Sequence, residues 1–338
     1  MNNEFSISEL RNIAFENKNP LSVTLELLTE CNWRCKHCYI PQHNNKGLEA
    51  EKIINLLHEL REMGTLNLTL TGGEIFCRED IFKIIETARN LNFRVFLMTN
   101  ASMLNEEKIR KLSELNITEF SVSVFSLDSS VHDSITGISG SLKRTLDNIE
   151  LMKRYNVHVV VKTPLMQENY LSYKKIREYC EKNKFQYIVS AGIFCKNNGD
   201  VSPHSLRIKA ENLEEIVEDL DSINNESTMP LSDKTYPCSA IFYSFFIDCK
   251  GDVYPCNSFY YKLGNVFDSS ISDIWNSDKL EKLRKITKSD LHKCNECSLL
   301  DSCQRCPGLA LLEDNDLCGC SSVAKYIATA RHKVLERR

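Results

Sequence analysis

Three cysteines stand close together at Cys31, Cys35 and Cys38 in the stretch CNWRCKHCYI, directly after the alternating apolar run SVTLELL. Clustered thiolates are natural ligands for zinc and for iron–sulfur centres. A four-iron cluster ordinarily takes four cysteines, so a set of three leaves one iron able to bind another molecule. The structural alternative is a buried stripe on a helix, since the three fall at i, i+4 and i+7. Trp33, Arg34, Lys36 and His37 between them, and the strand before, favour a loop.

The next strand runs into LTLTGGEIF. Gly72 and Gly73 let the backbone approach a ligand closely, and Glu74 offers a carboxylate to an amino group. A second cysteine group lies far downstream: Cys238, Gly251 and Cys256, then Cys294, Cys297, Cys303 and Cys306 in CNECSLLDSCQRC, then Cys318 and Cys320. Setting Cys249 aside, these eight thiols match two fully ligated four-iron clusters or two zinc ions. CKGDVYPC reads as a tight hairpin that needs positive φ at Gly251.

These residues need strands and helices to hold them. From Leu21 to about Phe194 short apolar strands alternate with amphipathic helices: SVTLELL, LNLTL, RVFLM, TEFSVSV, HVVVKT and FQYIVS. The helical stretch EAEKIINLLHELREM repeats Ile53, Leu56, Leu57 and Leu60 on one face, and further helices start near Arg78, Asn105, Ser141 and Ser172. Six β/α units fall short of the eight of a closed barrel and predict an α/β fold with a partial (β/α)6 barrel. After the turn-rich NNGDVSPHS the pattern changes to a small cysteine-rich α+β unit, with short strands in FYSFFID and DVYPC. The expected domains are an N-terminal extension at 1–20, the barrel at 21–206 and the cysteine-rich unit at 207–338.

The chain has 338 residues, 42% hydrophobic and 26% charged, with a net charge of −4. No apolar run is long enough to span a membrane, and the N-terminus has no secretion signal. The charges are interspersed, which argues against nucleic acid as a partner; the basic end RHKVLERR reads as a solvated helix terminus. A cytoplasmic location is expected, where fifteen cysteines stay reduced and serve metal binding or catalysis.

CNWRCKHCY followed by TGGE resembles the radical S-adenosylmethionine (SAM) superfamily, and the C-terminal cysteine pattern resembles the SPASM domain, the auxiliary-cluster module that follows the barrel in many members. The resemblance implies that Cys31, Cys35 and Cys38 hold a four-iron four-sulfur cluster whose free iron is chelated by SAM. It implies that Gly72, Gly73 and Glu74 receive the amino group of SAM, and that Asn100 in MTNAS and Ser123 in SVSVF contact its methionine and ribose. It implies two auxiliary clusters, one on Cys238, Cys256 and Cys306 and one on Cys294, Cys297 and Cys303, with Cys318 and Cys320 completing them in an order left open. Family members usually have three residues between the cysteines matching Cys303 and Cys306; this chain has two, which leaves Cys249 as a spare ligand for the first cluster.

By the same resemblance the enzyme cleaves SAM reductively to a 5'-deoxyadenosyl radical and abstracts hydrogen from a ribosomally made peptide, giving crosslinking, epimerisation or oxidation. The alternatives are oxidation or decarboxylation of a small molecule of porphyrin or aminosugar type, and a non-catalytic iron–sulfur or zinc protein. A flavodoxin or ferredoxin is the implied electron donor. Thirty residues before Cys31 are too few for a separate leader-peptide-binding domain, so the barrel or another protein is expected to bind any leader. Cys195, at the end of the sixth strand, is a candidate hydrogen-atom donor or an inert packing residue, and Cys180 reads as core. HDSITG, from His132 to Gly137, is explained by a helix start and a turn. Lys162 has no assigned direction, because its strand register decides whether it faces in or out.

Overall fold

The expected strands are six short segments in which every second residue is apolar: β1 (Ser22–Glu26), β2 (Asn67–Thr71), β3 (Arg94–Thr99), β4 (Glu119–Ser123), β5 (Val159–Pro164) and β6 (Gln186–Ser190). In the computed structural model, which describes residues 7–224 and 236–337, they pair in parallel and in chain order, β1 to β6, with no reversal. Right-handed crossovers without a reversal put every connecting helix on the same side. The sheet therefore has one helix-covered face and one inner face, which is the barrel arrangement and not the doubly wound one.

The helices are α1 (Ile7–Glu16), α2 (Ala50–Glu62), α3 (Ile81–Asn90), α4 (Glu106–Glu114), α5 (Ser129–Thr136), α6 (Ser141–Arg154) and α7 (Ser172–Asn183). Val23, Leu25, Leu68, Leu70, Val95 and Leu97 of the strands meet Ile53, Leu56, Leu57 and Leu60 of α2 in the main core. The register sets Thr24 beside Thr69, Ser121 beside Val160 and Ser123 beside Lys162 on the opposite, inner face. Lys162 therefore points into the barrel.

Two differences from the sequence reading concern the edges. The short strands β7 (Ser244–Ile247), β8 (Asp252–Tyr254) and β9 (Gly264–Asn265) do not form a separate sheet, since β7 pairs in parallel with β1 and β8 and β9 follow antiparallel, extending one sheet to nine strands. At the other edge, α8 (Ala210–Ile223) packs Leu213, Ile216, Val217 and Leu220 against Val189 of β6, Tyr173 of α7 and Ala330 of the C-terminal helix. Just beyond α8, the Asn224 side chain donates to Val189 O (2.7 Å) and accepts from Val189 N (3.2 Å), as a neighbouring strand would. A shared core thus spans the boundary expected near residue 206.

The remaining helices are the short α9 (Ile271–Trp275), α10 (Asp278–Arg284), α11 (His292–Asn295) and α12 (Pro307–Asp314) and the longer α13 (Ser322–Glu336). Phe15 of α1 packs on Tyr236 and Phe242, so the N-terminal extension docks on the C-terminal unit. Among the described residues no helix is long and apolar enough to cross a membrane.

Leu57 is fully buried between α2 and the sheet. Leu57→Ala is expected to cost about 2–5 kcal/mol of stability. Anaerobic urea unfolding should show a lowered midpoint with an unchanged slope.

Candidate functional site

Residues 31 to 38 carry no helix or strand of their own, so other elements must hold them. Arg34 N donates to Thr136 O (2.9 Å) and Lys36 N to Ile135 O (3.0 Å), the last carbonyls of α5. Lys36 Nζ reaches Ser134 Oγ (2.8 Å) and Glu168 Oε2 (2.6 Å). Trp33 is buried against Phe125 and the edge of His132, whose ring burial pushes its pKa down to about 4. HDSITG is not a helix start: it is the C-terminal end of α5 with its left-handed Gly137 cap, and it braces the cysteine loop. Its Asp133 carboxylate accepts from Gly140 N (2.6 Å), Ser141 Oγ (2.8 Å) and Leu142 N (3.0 Å), tying α5 to the start of α6.

The glycine pair has a local reason. Gly73 N donates to Leu28 O (3.0 Å) and Glu74 N to Glu30 O (2.9 Å), and a side chain at Gly72 or Gly73 would stand 2.3 Å from Leu28 O or 2.2 Å from Glu30 O. Only glycine lets the end of β2 lie this close to the root of the cysteine loop. The Glu74 side chain is fully buried and accepts from Phe76 N (3.1 Å), Thr99 Oγ1 (2.7 Å) and Asn100 N (2.7 Å), so it also holds the end of β3. Asn100 Nδ2 donates to Asn32 Oδ1 (2.8 Å), and Asn32 Nδ2 to Ser102 Oγ (2.8 Å), which links that strand end back to the cysteine loop. Ser123 ends β4 beside Lys162. Residues 31–38, 72–74, 100 and 123 all sit at the C-terminal ends of β1 to β4, where β/α folds assemble their sites.

Burial, with repulsion from Glu74 and from Cys38, pushes the Cys31 thiol up to about 12; burial and its two thiol neighbours push Cys35 higher, and burial also raises Cys38. Trp33 N donates to Cys31 Sγ (3.3 Å), and Cys38 Sγ lies 3.3 Å from His43 Nε2. Three thiols so close that their charges repel need a cation to become thiolates together. The donor set fits a cluster with three protein ligands. Cys77, whose thiol burial pushes to about 11, adds a fourth sulfur near Cys31 that the sequence reading left aside; it contacts Met103 Sδ at 3.3 Å.

The downstream cysteines divide into two sets. Burial pushes Cys256 to about 12, with added repulsion from Cys238 and Cys306, and Ser258 N donates to its sulfur (3.4 Å). Burial pushes Cys303 to about 11, with repulsion from Cys320, Cys294 and Cys297. Cys318 and Cys320 both feel Cys294, so both lie with this second set. Cys249 lies beside Glu26: burial and the carboxylates of Glu26 and Asp248 raise its thiol, and its N–H donates to Glu26 Oε2 (3.4 Å). Cys180 is fully buried against the main core.

A cavity of about 300 Å³ opens between the barrel and the C-terminal unit, lined by His37, Tyr39, Cys195, Asn257, Tyr260 and Leu312. Behind it stands Glu26, 3% exposed, with Oε1 lacking a hydrogen-bond partner among the described residues. Burial raises its pKa to about 7. No local pattern marks it beyond a carboxylate in an apolar strand. Cys195 lies on the cavity wall, and its sulfur is within 4.8 Å of nitrogen and oxygen atoms of His204 and Glu313.

Residues 25–180 match the profile of the Radical SAM superfamily, and residues 238–307 match SPASM, described as an iron–sulfur cluster-binding domain. The chain is 24% identical to the AdoMet-dependent heme synthase of Methanosarcina barkeri, over 88% of this chain and 94% of that one. It is 24% identical to the sporulation killing factor maturation protein SkfB of Bacillus subtilis, over 78% and 67%. In structure it resembles Streptococcus suis SuiB bound to its precursor peptide SuiA, with a TM-score of 0.73 at 18% identity, over 96% of this chain and 83% of that one.

Two outcomes test this geometry. Asp133→Ala removes the acceptor for three donors at the α5–α6 junction, at a cost of about 1–2 kcal/mol. Metal bound at Cys31, Cys35 and Cys38 should then leave faster under a chelator than metal at the downstream cysteines, read by iron release from anaerobic protein. Glu26 carries a folded-state pKa above its unfolded one, so its contribution favours the fold below about pH 4.5 and is lost as pH rises through about 7. Wild-type stability should fall by about 1 kcal/mol more between pH 6 and 8 than that of Glu26→Gln, measured by urea unfolding.

Proposed function

Because this chain belongs to the radical SAM superfamily and carries a SPASM domain, we propose that it modifies a ribosomally made peptide, by crosslinking, epimerisation or oxidation of a side chain. The observation that carries this reading is the three-thiol loop at the strand ends together with the 300 Å³ cavity beyond it, a volume suited to one or two amino-acid side chains. SkfB, a maturation protein, and SuiB, seen with a precursor peptide, support it.

In this reading Cys31, Cys35 and Cys38 hold the SAM-binding four-iron cluster. When bound, the cluster and SAM supply an electron and a 5'-deoxyadenosyl radical that takes a hydrogen atom from the substrate. The chain's own work is placement. Gly72 and Gly73 keep the bed of the site flat, Glu74 and Asn100 hold the strand ends that face the amino group of SAM, and Ser123 with the Lys162 ammonium suits its ribose and carboxylate. Tyr39, Tyr260 and Asn257 orient the substrate side chain and exclude water from it.

Cys238, Cys256 and Cys306 would hold one auxiliary cluster. Cys294, Cys297 and Cys303, with Cys318 or Cys320, hold the other. Bound there, the clusters would accept the electron released when a substrate is oxidised, and a small redox protein such as a flavodoxin or ferredoxin would supply the electron that starts the reaction. The relatedness to heme synthase favours a second reading, oxidation of a tetrapyrrole side chain.

Anaerobically reconstituted protein given SAM and dithionite should release 5'-deoxyadenosine. Cys35→Ala should abolish this and lower bound iron from about twelve to about eight atoms per chain. Coexpression with short peptides encoded in neighbouring reading frames should give a peptide of altered mass. Turnover of an iron porphyrin precursor with no peptide altered would overturn the peptide reading and leave the radical one standing.

A further inference from the structure

One cluster of metal-binding side chains lies outside all three cysteine sets. Cys195 follows β6, His204 lies in a short 3-10 helix (Ser202–Leu206), and Glu313 sits near the end of α12; their ligand atoms lie within 4.8 Å of one another. Cys195 and His204 lie nine residues apart and Glu313 more than a hundred residues further on, so the approach of Glu313 to the other two is a product of the fold.

His204 Nε2 is buried and makes no hydrogen bond to any described residue. It stands 3.5 Å from Glu313 Oε1, too long for a good hydrogen bond. Two ligands bonded to one tetrahedral zinc at about 2.0 Å lie about 3.3 Å apart, so the spacing is that of neighbouring ligands on one ion. The Glu313 side chain, 5% exposed, is held in place by Ser322, whose N–H donates to Oε2 and whose hydroxyl donates to Oε1 (3.0 Å). Arg207 supports it from outside: its guanidinium lies 3.8 Å from Glu313 Oε1 and donates to Ser322 Oγ (2.9 Å) and Ile193 O (3.0 Å). Such outer partners orient the ligands of metal sites.

We propose that Cys195, His204 and Glu313 form a mononuclear Zn²⁺ site that clasps the last barrel segment to α12. The ion takes the Cys195 sulfur as thiolate, whose proton goes to solvent, the neutral His204 ring through Nε2, and the Glu313 carboxylate. The fourth position is open to water or to a group entering the cavity that Cys195 lines. The clasp reaches the redox machinery through α12, which begins directly after Cys306. A metal-bound thiolate carries no hydrogen to give, so this assignment excludes Cys195 as a hydrogen-atom donor. It does not rest on the peptide reading, since zinc is counted whether or not SAM is cleaved.

The test uses iron-loaded protein, freed of loose zinc by a mild chelator, then given Zn²⁺ alone and buffer-exchanged. Metal analysis should find one zinc per chain in the wild type, and zinc-edge absorption should find a single sulfur among nitrogen and oxygen neighbours. Cys195→Ser should lose that zinc with bound iron unchanged. Should Cys195→Ser disturb the fold and lose iron, His204→Gln, at a partly exposed position, should still weaken zinc binding at least about tenfold. Equal zinc in the wild type and both variants, or a zinc shell of three or four sulfurs, overturns the proposal.

Discussion

The cysteine loop cannot satisfy its own backbone. It has no ladder of hydrogen bonds within itself, yet its thiols must be held within reach of a single centre. The answer is a reciprocal one with the C-terminus of α5, whose last carbonyls have no partner inside the helix. Arg34 N and Lys36 N donate to those carbonyls, and Gly137 in the left-handed region ends the helix so that they stay accessible. Each side meets the need of the other. The rest follows from where this exchange can occur, at the end of β1 with α5 brought over it by β4.

The inner face of the sheet explains why a site exists there at all. The helix-covered side of β1 to β5 is hydrocarbon except for Thr99 and Thr163 towards the strand ends, while Thr24, Thr69, Ser121, Ser123 and Lys162 share the inner side. Without that alternation the barrel would fill with side chains and leave no bed for a polar ligand. Glu26 is the extreme case: a carboxylate buried on this face destabilises the fold whenever it ionises, and its place behind Tyr39 and Tyr260 ties that cost to the cavity.

Periodicity made the six strands, the core face of α2 and the (β/α)6 order legible in the amino-acid sequence, because each is written within ten or fifteen neighbouring residues. The cysteine spacings announced the metal chemistry for the same reason. What they did not carry was any relation between distant segments. The attachment of β7 to β1, the inward direction of Lys162, the company of Cys318 and Cys320, and the place of Cys249 beside Glu26 all depend on which strand meets which. HDSITG shows the same limit at close quarters. Its turn is local and readable, but its service to residues 34 and 36 crosses a hundred positions.

Burial also decides how such a chain can be assembled. Cys31, Cys256 and Cys303 all titrate well above their ordinary range, chiefly because the folded chain withdraws them from water, so the folded protein without metal holds thiols and not thiolates. Each ligand must give up its proton as the metal enters, which links loading to pH and to the closing of the surrounding structure. Loading is easiest while a loop is still partly open and water can carry the proton away. The loop at residues 31–38 closes against α5, whereas the downstream sets close against α12 and the segment that follows it. The metal centres and the final packing of these segments therefore form together, and a substitution that loosens a brace acts on metal retention before it acts on the barrel core.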